Sequence, residues 1–190
     1  MFAVIGLGNP GREYQDTRHN LGFWAVQSLA ASLGTGGKFK QKGACLIQRV
    51  DIDAEQVLLV LPQDFMNRSG AATKPLLSFF KIGPSQLIVI HDELDFDPGI
   101  VRVKLGGSAA GHLGLEDIVR ELGTQDFYRI RIGIGHPRRS ETPLMEVPDW
   151  VLSVPRAEET TVLHESAVQA GQAAKTLIAA GLEAAQRKFH

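Results

Sequence analysis

Short apolar runs alternate along this chain with segments of helical periodicity. Three runs are apolar and rich in β-branched residues, as strands covered on both faces should be: FAVIGL (2–7), VLLVL (57–61) and LIVIHD (87–92), the last of them up to its two final residues. Two later segments alternate apolar and polar positions instead: VRVKL (101–105) and YRIRIGIG (128–135). Helical periodicity is found at about 21–33, 69–81, 112–122 and 156–180.

This order of elements predicts an α/β protein with helices on both sides of a mixed, mostly parallel sheet. The chain has neither a repeat nor a low-complexity linker, so residues 1–190 are expected to form a single domain. Segment 136–150, with three prolines and charges of both signs, is predicted to be a loop. In the two alternating strands the apolar side chains are expected to face inward and the basic ones outward: Val101, Val103, Leu105, Ile130, Ile132 and Ile134 against Arg102, Lys104, Arg129 and Arg131.

Composition places the chain among ordinary globular proteins, with 44% hydrophobic and 22% charged residues. No apolar run approaches the roughly 20 residues of a membrane span, and no leader pattern is found, so we expect a cytoplasmic protein without a membrane partner. Cys45 is the single cysteine and is interpreted as a small buried apolar residue in a reducing compartment.

Charge is unevenly distributed, although the net charge is only −1. Residues 38–49 contain four basic and no acidic residues, and residues 99–140 contain seven Lys or Arg against four acids. A polyanionic partner would therefore meet local basic patches rather than a strong overall field. An ordinary mixed surface explains these counts equally well.

The glycines of residues 6–11 satisfy the pattern G-x-G-x-x-G, but their context does not fit a dinucleotide site. Pro10 removes one backbone donor, and no acidic residue lies between positions 16 and 51 to bind a ribose. A tight turn explains the stretch better, because Pro10 presets φ and Gly11 supplies the positive φ of a type II turn. No cofactor is predicted.

Polar side chains follow three of the predicted core strands. Asn9, Asn67 and Asp92 each come just after an apolar run. Any one of them could be a turn residue or, for Asn67, a helix N-cap. Because ligands of α/β sheets bind at the carboxyl ends of the strands, the shared position predicts a site.

His19 is the candidate base for this site, since it lies in the loop that leaves the first strand. If Asp92 accepts the Nδ1 proton of His19, Nε2 is left to take a proton from water. The carboxamides of Asn9 and Asn67 could then donate to the oxyanion that forms on attack. These groups suit hydrolysis of an activated acyl bond such as an ester.

A metal-dependent hydrolase is the rival hypothesis, because residues 91–97 (HDELDFD) hold one histidine and four carboxylates. The acids are crowded into one loop, and no second histidine or cysteine pair supports them. No metal site is therefore predicted.

Five segments resemble the motif set of the bacterial peptidyl-tRNA hydrolase family, in its order and at its spacing: GLGNPGREYQDTRHNLG, DFMNRSG, HDELD, KLGGSAAGHLGL and RIRIGIGHP. The resemblance covers nearly the whole chain. It implies a monomeric α/β/α sandwich that needs no obligate protein partner. It also implies metal-free hydrolysis of the ester between a peptide and the 3′ end of tRNA, which frees tRNA for reuse in translation.

The same resemblance implies roles for individual residues. His19 matches the proton-accepting base, Asp92 the carboxylate that keeps it basic, and Asn9 the residue that distinguishes a blocked from a free amino terminus. The remaining matches concern the substrate: Tyr14, Phe65 and Asn67 contact it, and Lys104 and Arg131 hold the 5′-phosphate region of the tRNA.

One position departs from the family pattern. The family reads G-G-H-N-G where this chain reads AGHLG (110–114), so that Leu113 stands where a substrate-holding Asn is expected. A polar contact is then lost or supplied elsewhere, for instance by His112, and Ala110 is expected to stiffen the loop. The alternative function is therefore a tRNA-binding module of the same fold with reduced or lost turnover.

Overall fold

The computed structural model describes residues 1–35, 38–140 and 144–190. The strands are β1 (Phe2–Gly6), β2 (Lys40–Lys42), β3 (Cys45–Ile52), β4 (Glu55–Pro62), β5 (Leu87–Glu93), β6 (Val101–Leu105) and β7 (Tyr128–Gly133). The helices are α1 (Leu21–Ser32), α2 (Ser69–Phe79), α3 (Leu113–Leu122), α4 (Val147–Val151) and α5 (Ala157–Phe189). The five strands and four helices that the sequence predicts are all present.

The strands form one sheet in the order β2-β3-β4-β1-β5-β7-β6. Strands β4, β1, β5 and β7 run parallel, whereas β2, β3 and β6 add antiparallel pairs at the two sides. The mixed sheet with a parallel centre confirms the prediction. It also places the carboxyl ends of β1, β4 and β5 at one edge, where polar residues follow each strand.

Two separate cores cover the two faces of this sheet. Helices α1 and α5 pack on one face, over side chains such as Val4, Ile90 and Ile132. Helices α2 and α3 pack on the other, over Ile5 and Val89. The three-layer α/β/α architecture is therefore confirmed. Among the described helices, none combines the length and the apolarity that crossing a membrane requires.

The first glycines of the chain serve packing and turning. A Cβ atom on Gly6 would collide with the carbonyl oxygen of Gly22, so the glycine pair lets α1 approach β1 closely. Gly11 has a φ of 109°, the positive value that the predicted turn requires. Close approach of α1 brings its amino end, and His19 just before it, to the carboxyl end of β1.

The structure corrects the sequence prediction at two strand positions. Leu105 was expected to face inward, yet it is 50% exposed, because β6 ends there and the chain turns away at Gly106. Arg129 was expected to face outward, yet its side chain is fully buried and bonds the carbonyl of Ser108. Alternation shows which face of the sheet a residue occupies, but not whether a loop covers that face.

Three further elements, β2, β3 and α4, were not predicted. Strand β2 lies in segment 38–49, which the sequence marked only by its charge, and β3 begins there. Cys45 of β3 is buried as expected, and burial raises the pKa of its thiol to about 12. The predicted loop 136–150 contains α4, a single helical turn with Pro148 in its first turn; residues 141–143 of that segment lie outside the described ranges.

The two edge strands of the sheet, β2 and β6, differ in length and in what covers them. Edge strand β2 is three residues long and carries Lys40 and Lys42. Helix α5 breaks at Gly181, whose φ is 82°, and residues 182–190 then lie along the other edge, β6. The Nε2 group of Gln186 donates to the carbonyl of Val103 at 3.0 Å, and the Val103 amide donates to Nε2 of His190 at 2.8 Å.

Candidate active site

The polar residues predicted to meet at the sheet edge do meet there. Asn9 follows β1, Asp92 lies near the end of β5, and Asn67 follows β4 in a short 3₁₀ turn (Met66–Arg68). Asn67 is not a helix cap, since the N-cap position of α2 is Arg68. His19 lies in a second 3₁₀ turn, Arg18–Asn20, at the start of α1.

Both neighbours of His19 fix this turn in place. Asn20 donates to the carbonyl of Asn9 at 3.0 Å and accepts its amide at 2.8 Å. The guanidinium of Arg18, only 3% exposed, pairs with Glu159 at 2.6 Å and lies 3.8 Å from the ring centroid of Trp150. The imidazole of His19 is therefore held between the loop after β1 and the amino end of α5.

His19 and Asp92 are in direct contact. The Nδ1 atom of His19 lies 2.9 Å and 3.0 Å from the two carboxylate oxygens of Asp92, and both residues are buried. Because an ionised carboxylate only accepts hydrogen bonds, Nδ1 carries the proton of a neutral His19. Its Nε2 has no partner among the described residues and is free to accept a proton.

His112 supplies a second hydrogen bond to the same carboxylate. Its Nε2 lies 3.1 Å from Oδ1 of Asp92, and its Nδ1 accepts the amide of Leu115 as the N-cap of α3. Accepting at Nδ1 leaves the proton on Nε2, which therefore donates to Asp92. Both ring nitrogens are engaged, so His112 has no donor left to replace the Asn that Leu113 displaces.

These contacts determine the ionisation of Asp92. Burial by itself would raise the pKa of this carboxyl, but the His19 and His112 imidazoles hold the pKa well below its ordinary value. Asp92 is thus an anion at neutral pH, in direct contact with the His19 imidazole.

The same three side chains have the spacing of a metal site. Ligand atoms of His19, Asp92 and His112 lie within 4.8 Å of one another. However, the bond that His112 accepts at Nδ1 keeps its Nε2 protonated, so this nitrogen lacks the free electron pair that a metal needs. The arrangement fits a hydrogen-bonded relay better than a metal centre. In the acidic loop 91–97, Glu93 and Asp97 contact separate arginines instead of converging.

Asn9 has one orientation in this site. Its Oδ1 accepts the amide of Met66 at 2.7 Å, which leaves the Nδ2 group without a partner among the described residues. Asn9 is 6% exposed, so its donor is fixed at the wall of the cleft. A donor of this kind stabilises a developing oxyanion without reorganising.

One cleft of about 410 Å³ connects these groups. Seven of the nine residues predicted for the site line it: Asn9, Tyr14, His19, Phe65, Asn67, Asp92 and Leu113. Tyr14 and Phe65 make an edge-to-face contact, with ring centroids 6.1 Å apart, and Phe65 is 57% exposed. Leu113 is half exposed, and Ala110 has a positive φ of 49°, a value that glycine adopts more easily.

Lys104 and Arg131 do not line the cleft. They lie beside it on one face of β6 and β7, where Lys104 is paired across the strands with Arg129. Nη1 of Arg131 is 3.5 Å from the carboxylate of Glu93, which does line the cleft. A basic surface therefore borders the site, as the alternation in these strands predicts.

Sequence reasoning missed several residues of the cleft. The sequence predicts His112 only as a substitute for the missing Asn, because histidine is not among the residues typical of a helix N-cap. Met66 orients Asn9 through its backbone, which no side-chain pattern reveals. The wall formed by α4, with Val147, Pro148 and Val151, gave no sequence signal beyond Pro148 at a helix start.

Comparison with known proteins agrees with the geometry. The peptidyl-tRNA hydrolase family model matches residues 3–190. The chain is similar to the peptidyl-tRNA hydrolase of Delftia acidovorans (43% identity, 98% of this chain and 88% of that protein) and to that of Acidithiobacillus ferrooxidans (40% identity, 100% and 98%). It is also similar to the crystal structure of peptidyl-tRNA hydrolase from Acinetobacter baumannii, with a TM-score of 0.89 and 37% identity over 100% of this chain and 94% of that one. The chain belongs to the peptidyl-tRNA hydrolase family.

Proposed function

We propose that this protein hydrolyses the ester bond between a peptide and the 3′ end of tRNA, with water as the nucleophile and His19 as the base. The observation that carries the proposal is the contact between His19 Nδ1 and Asp92, which leaves Nε2 free at the cleft. A buried, ionised carboxylate fixes the tautomer of the base and stabilises its protonated form.

The reaction follows from the positions of these groups. His19 Nε2 takes a proton from water as the oxygen attacks the ester carbonyl carbon. The oxyanion that forms accepts hydrogen bonds from Nδ2 of Asn9 and from Asn67. The tetrahedral intermediate then breaks its bond to the 3′ oxygen of the tRNA. His19 returns the proton to that oxygen, so free tRNA and a peptide acid leave.

Substrate contacts are proposed at the mouth of the cleft and beside it. The exposed ring of Phe65 and the ring of Tyr14 offer apolar faces to the end of the tRNA or to the peptide. Lys104 and Arg131 would meet phosphates of the acceptor stem, which are read by charge rather than by base sequence. We also propose that one copy of the chain is sufficient, as a single-domain monomer in the cytoplasm, where its substrate arises.

A binding module without turnover is not favoured. That alternative depended on Leu113, but the hydrogen bonds among His19, Asp92 and His112 do not involve the Leu113 side chain. The base and its carboxylate partner are therefore complete despite the missing Asn.

The test is release of free tRNA from N-acetyl-aminoacyl-tRNA by the wild-type protein, His19→Ala and Asp92→Asn. We expect hydrolysis by the wild type, a fall in kcat of about a hundredfold or more in both variants, and unchanged tRNA affinity. Activity that is unchanged in EDTA would support the metal-free proposal. Bound tRNA without release by the wild type would instead support the binding module.

A further inference from the structure

The basic segment 38–49 is a feature of the sequence that the reaction above does not use. It contains β2 and the beginning of β3, at the edge of the sheet opposite to β6. Neighbouring strands lie about 4.8 Å apart, so the first and last of these seven strands lie roughly 29 Å apart along the sheet. The cations of this segment are therefore separate from the basic surface of β6 and β7.

The strand register places these cations on one face of the sheet. Lys40 pairs with Ile47, which packs into the core beneath α2, and Lys42 lies two residues along β2 on the same face. Arg49 follows Ile47 by two residues, so its side chain points to that face as well. Asp51 is the acid that shares this face of β3. Within the described ranges, none of these three cations forms an ion pair.

Two phenylalanine rings at the end of α2 lie among these cations. The rings of Phe79 and Phe80 meet edge to face, with their centroids 5.0 Å apart. The ammonium of Lys42 lies 3.9 Å from the centroid of the Phe79 ring, and the guanidinium carbon of Arg49 lies 5.0 Å from that of Phe80. Phe79 is nevertheless 65% exposed. An aromatic ring that is oriented by a cation and still open to solvent is therefore available to a ligand.

We propose that the side chains around β2 and the end of α2 form a second RNA site, the β2 patch, which binds an unpaired segment of RNA: Lys40, Lys42, Arg49, Phe79 and Phe80. A base stacks on the exposed ring of Phe79, and the cations hold the phosphates on either side of that base. Stacking and backbone charge are the contacts by which proteins bind single strands without sequence preference. The inference does not rest on the proposed function, since none of these residues lines the cleft.

An exposed ring beside cations favours a single strand over other polyanions. In a duplex the bases stack on one another inside the helix, so a duplex would meet the cations and leave the Phe79 ring without a partner. An acidic peptide would likewise satisfy the cations, but most of its side chains offer no flat face to the ring. A single strand supplies both a base and a phosphate at each nucleotide.

The experiment measures binding of a fluorescein-labelled oligouridylate of about twelve nucleotides by fluorescence anisotropy. All variants carry Lys104→Gln, which weakens binding to the basic surface of β6 and β7. We expect Phe79→Ala to lower the affinity roughly tenfold, the effect of one lost stacking contact, and Phe79→Trp to bind at least as tightly as the unchanged ring. Lys42→Gln should make the slope of log affinity against log salt concentration shallower by about 0.7, the value for one contact to a single strand.

The matched control is Val168→Ala, which shortens an exposed apolar side chain on α5 and should leave the affinity for the oligonucleotide unchanged. Binding needs no turnover, so a failure of the hydrolytic proposal would leave this result unaffected. If Phe79→Ala lowers Tm, the salt dependence of Lys42→Gln tests the same site in a folded protein.

Three results would overturn the inference. The first is an affinity of Phe79→Ala within about twofold of that of the unchanged ring, which would mean that no base stacks there. The second is an equal loss of affinity for an RNA duplex of the same length, which would mean that the β2 patch responds to charge alone. The third is tighter, Phe79-dependent binding of a polyglutamate peptide, which would assign the β2 patch to an acidic protein.

Discussion

Two buried charges in this protein are stabilised to different extents, and the difference separates chemistry from binding. Asp92 is 3% exposed and accepts hydrogen bonds from two histidines. Arg129 is 0% exposed and has one acceptor within the described ranges, the carbonyl of Ser108, with like charges nearby. The paired charge lies at the proposed base, His19. The incompletely paired charge lies on the face of β6 and β7 that carries Lys104 and Arg131, where the proposed function places the tRNA phosphates.

The largest effect is expected when Asp92 loses one of its two histidine donors, as in His112→Phe. The variant keeps a ring between His19 and His91, whose centroids are each 5.0 Å away, but it removes the second donor to Asp92. A hydrogen bond to a charged group is worth about 1.5–3 kcal/mol, so kcat should fall roughly ten- to a hundredfold. Single-turnover hydrolysis measures this fall, and His164→Phe, at an exposed position, is the control. A kcat within about twofold of the wild type would show that one donor to Asp92 is sufficient.

The next effect is expected on the basic surface of β6 and β7, with Lys104→Gln. Removing one phosphate-facing cation should raise KM about tenfold and leave kcat unchanged. The slope of log affinity against log salt concentration should become shallower by about one. Lys74→Gln, at an exposed ion pair with Glu121 on α2 and α3, is the matched control. A fall in kcat would mean that Lys104 also affects the groups around Asp92.

Leu113→Asn adds a hydrogen-bond donor to the cleft that contains Asp92. Both nitrogens of His112 are engaged, so this ring has no donor left to replace the missing Asn. Leu113 is 52% exposed, where water competes, and a gain of about 1 kcal/mol, or several-fold in kcat, is expected. Leu113→Ala separates this gain from a simple widening of the cleft. Equal or slower turnover by Leu113→Asn would contradict the prediction.

The last prediction concerns the pH dependence of stability rather than turnover, and it involves the buried His91. Burial, and then the adjacent His112, lower the pKa of His91 well below its usual 6.5. The unfolded chain takes up this proton as the pH falls below 6.5 while the folded protein does not, so acid favours unfolding. The free energy of unfolding should fall by up to about 1.4 kcal/mol per pH unit in that range.

His91→Asn tests this linkage, because it keeps a donor for the Asp92 carbonyl but does not titrate. Urea unfolding at about pH 7.5 and about pH 5.5 should give a smaller loss of stability in the variant than in the wild type. His164→Asn, at an exposed position, should behave as the wild type. An unchanged pH dependence in His91→Asn would assign the acid sensitivity to other groups.

The sequence predicted the sheet, its helices and the contact between His19 and Asp92. Each apolar run shows where a strand ends, and the polar residues at those ends meet at one edge of the sheet. It did not predict the second bond from His112, since that contact depends on how loop 106–112 folds back over the sheet. The predicted exposure of Arg129 was wrong for the same reason. Period-two alternation placed its side chain on the correct face of the sheet, but Ser108 and its loop cover that face. The α4 wall was missed because one helical turn has too few residues for periodicity.

The contacts of residues 182–190 with β6 also bear on how the protein behaves in concentrated solution. An uncovered strand at the side of a sheet offers amide and carbonyl groups that pair readily with another molecule. Gln186 and His190 occupy those groups at Val103, while the opposite side relies on a very short strand with two lysines. Residues 182–190 do not line the cleft, so removing them would expose a surface for strand-to-strand association and aggregation without deleting a residue of the site.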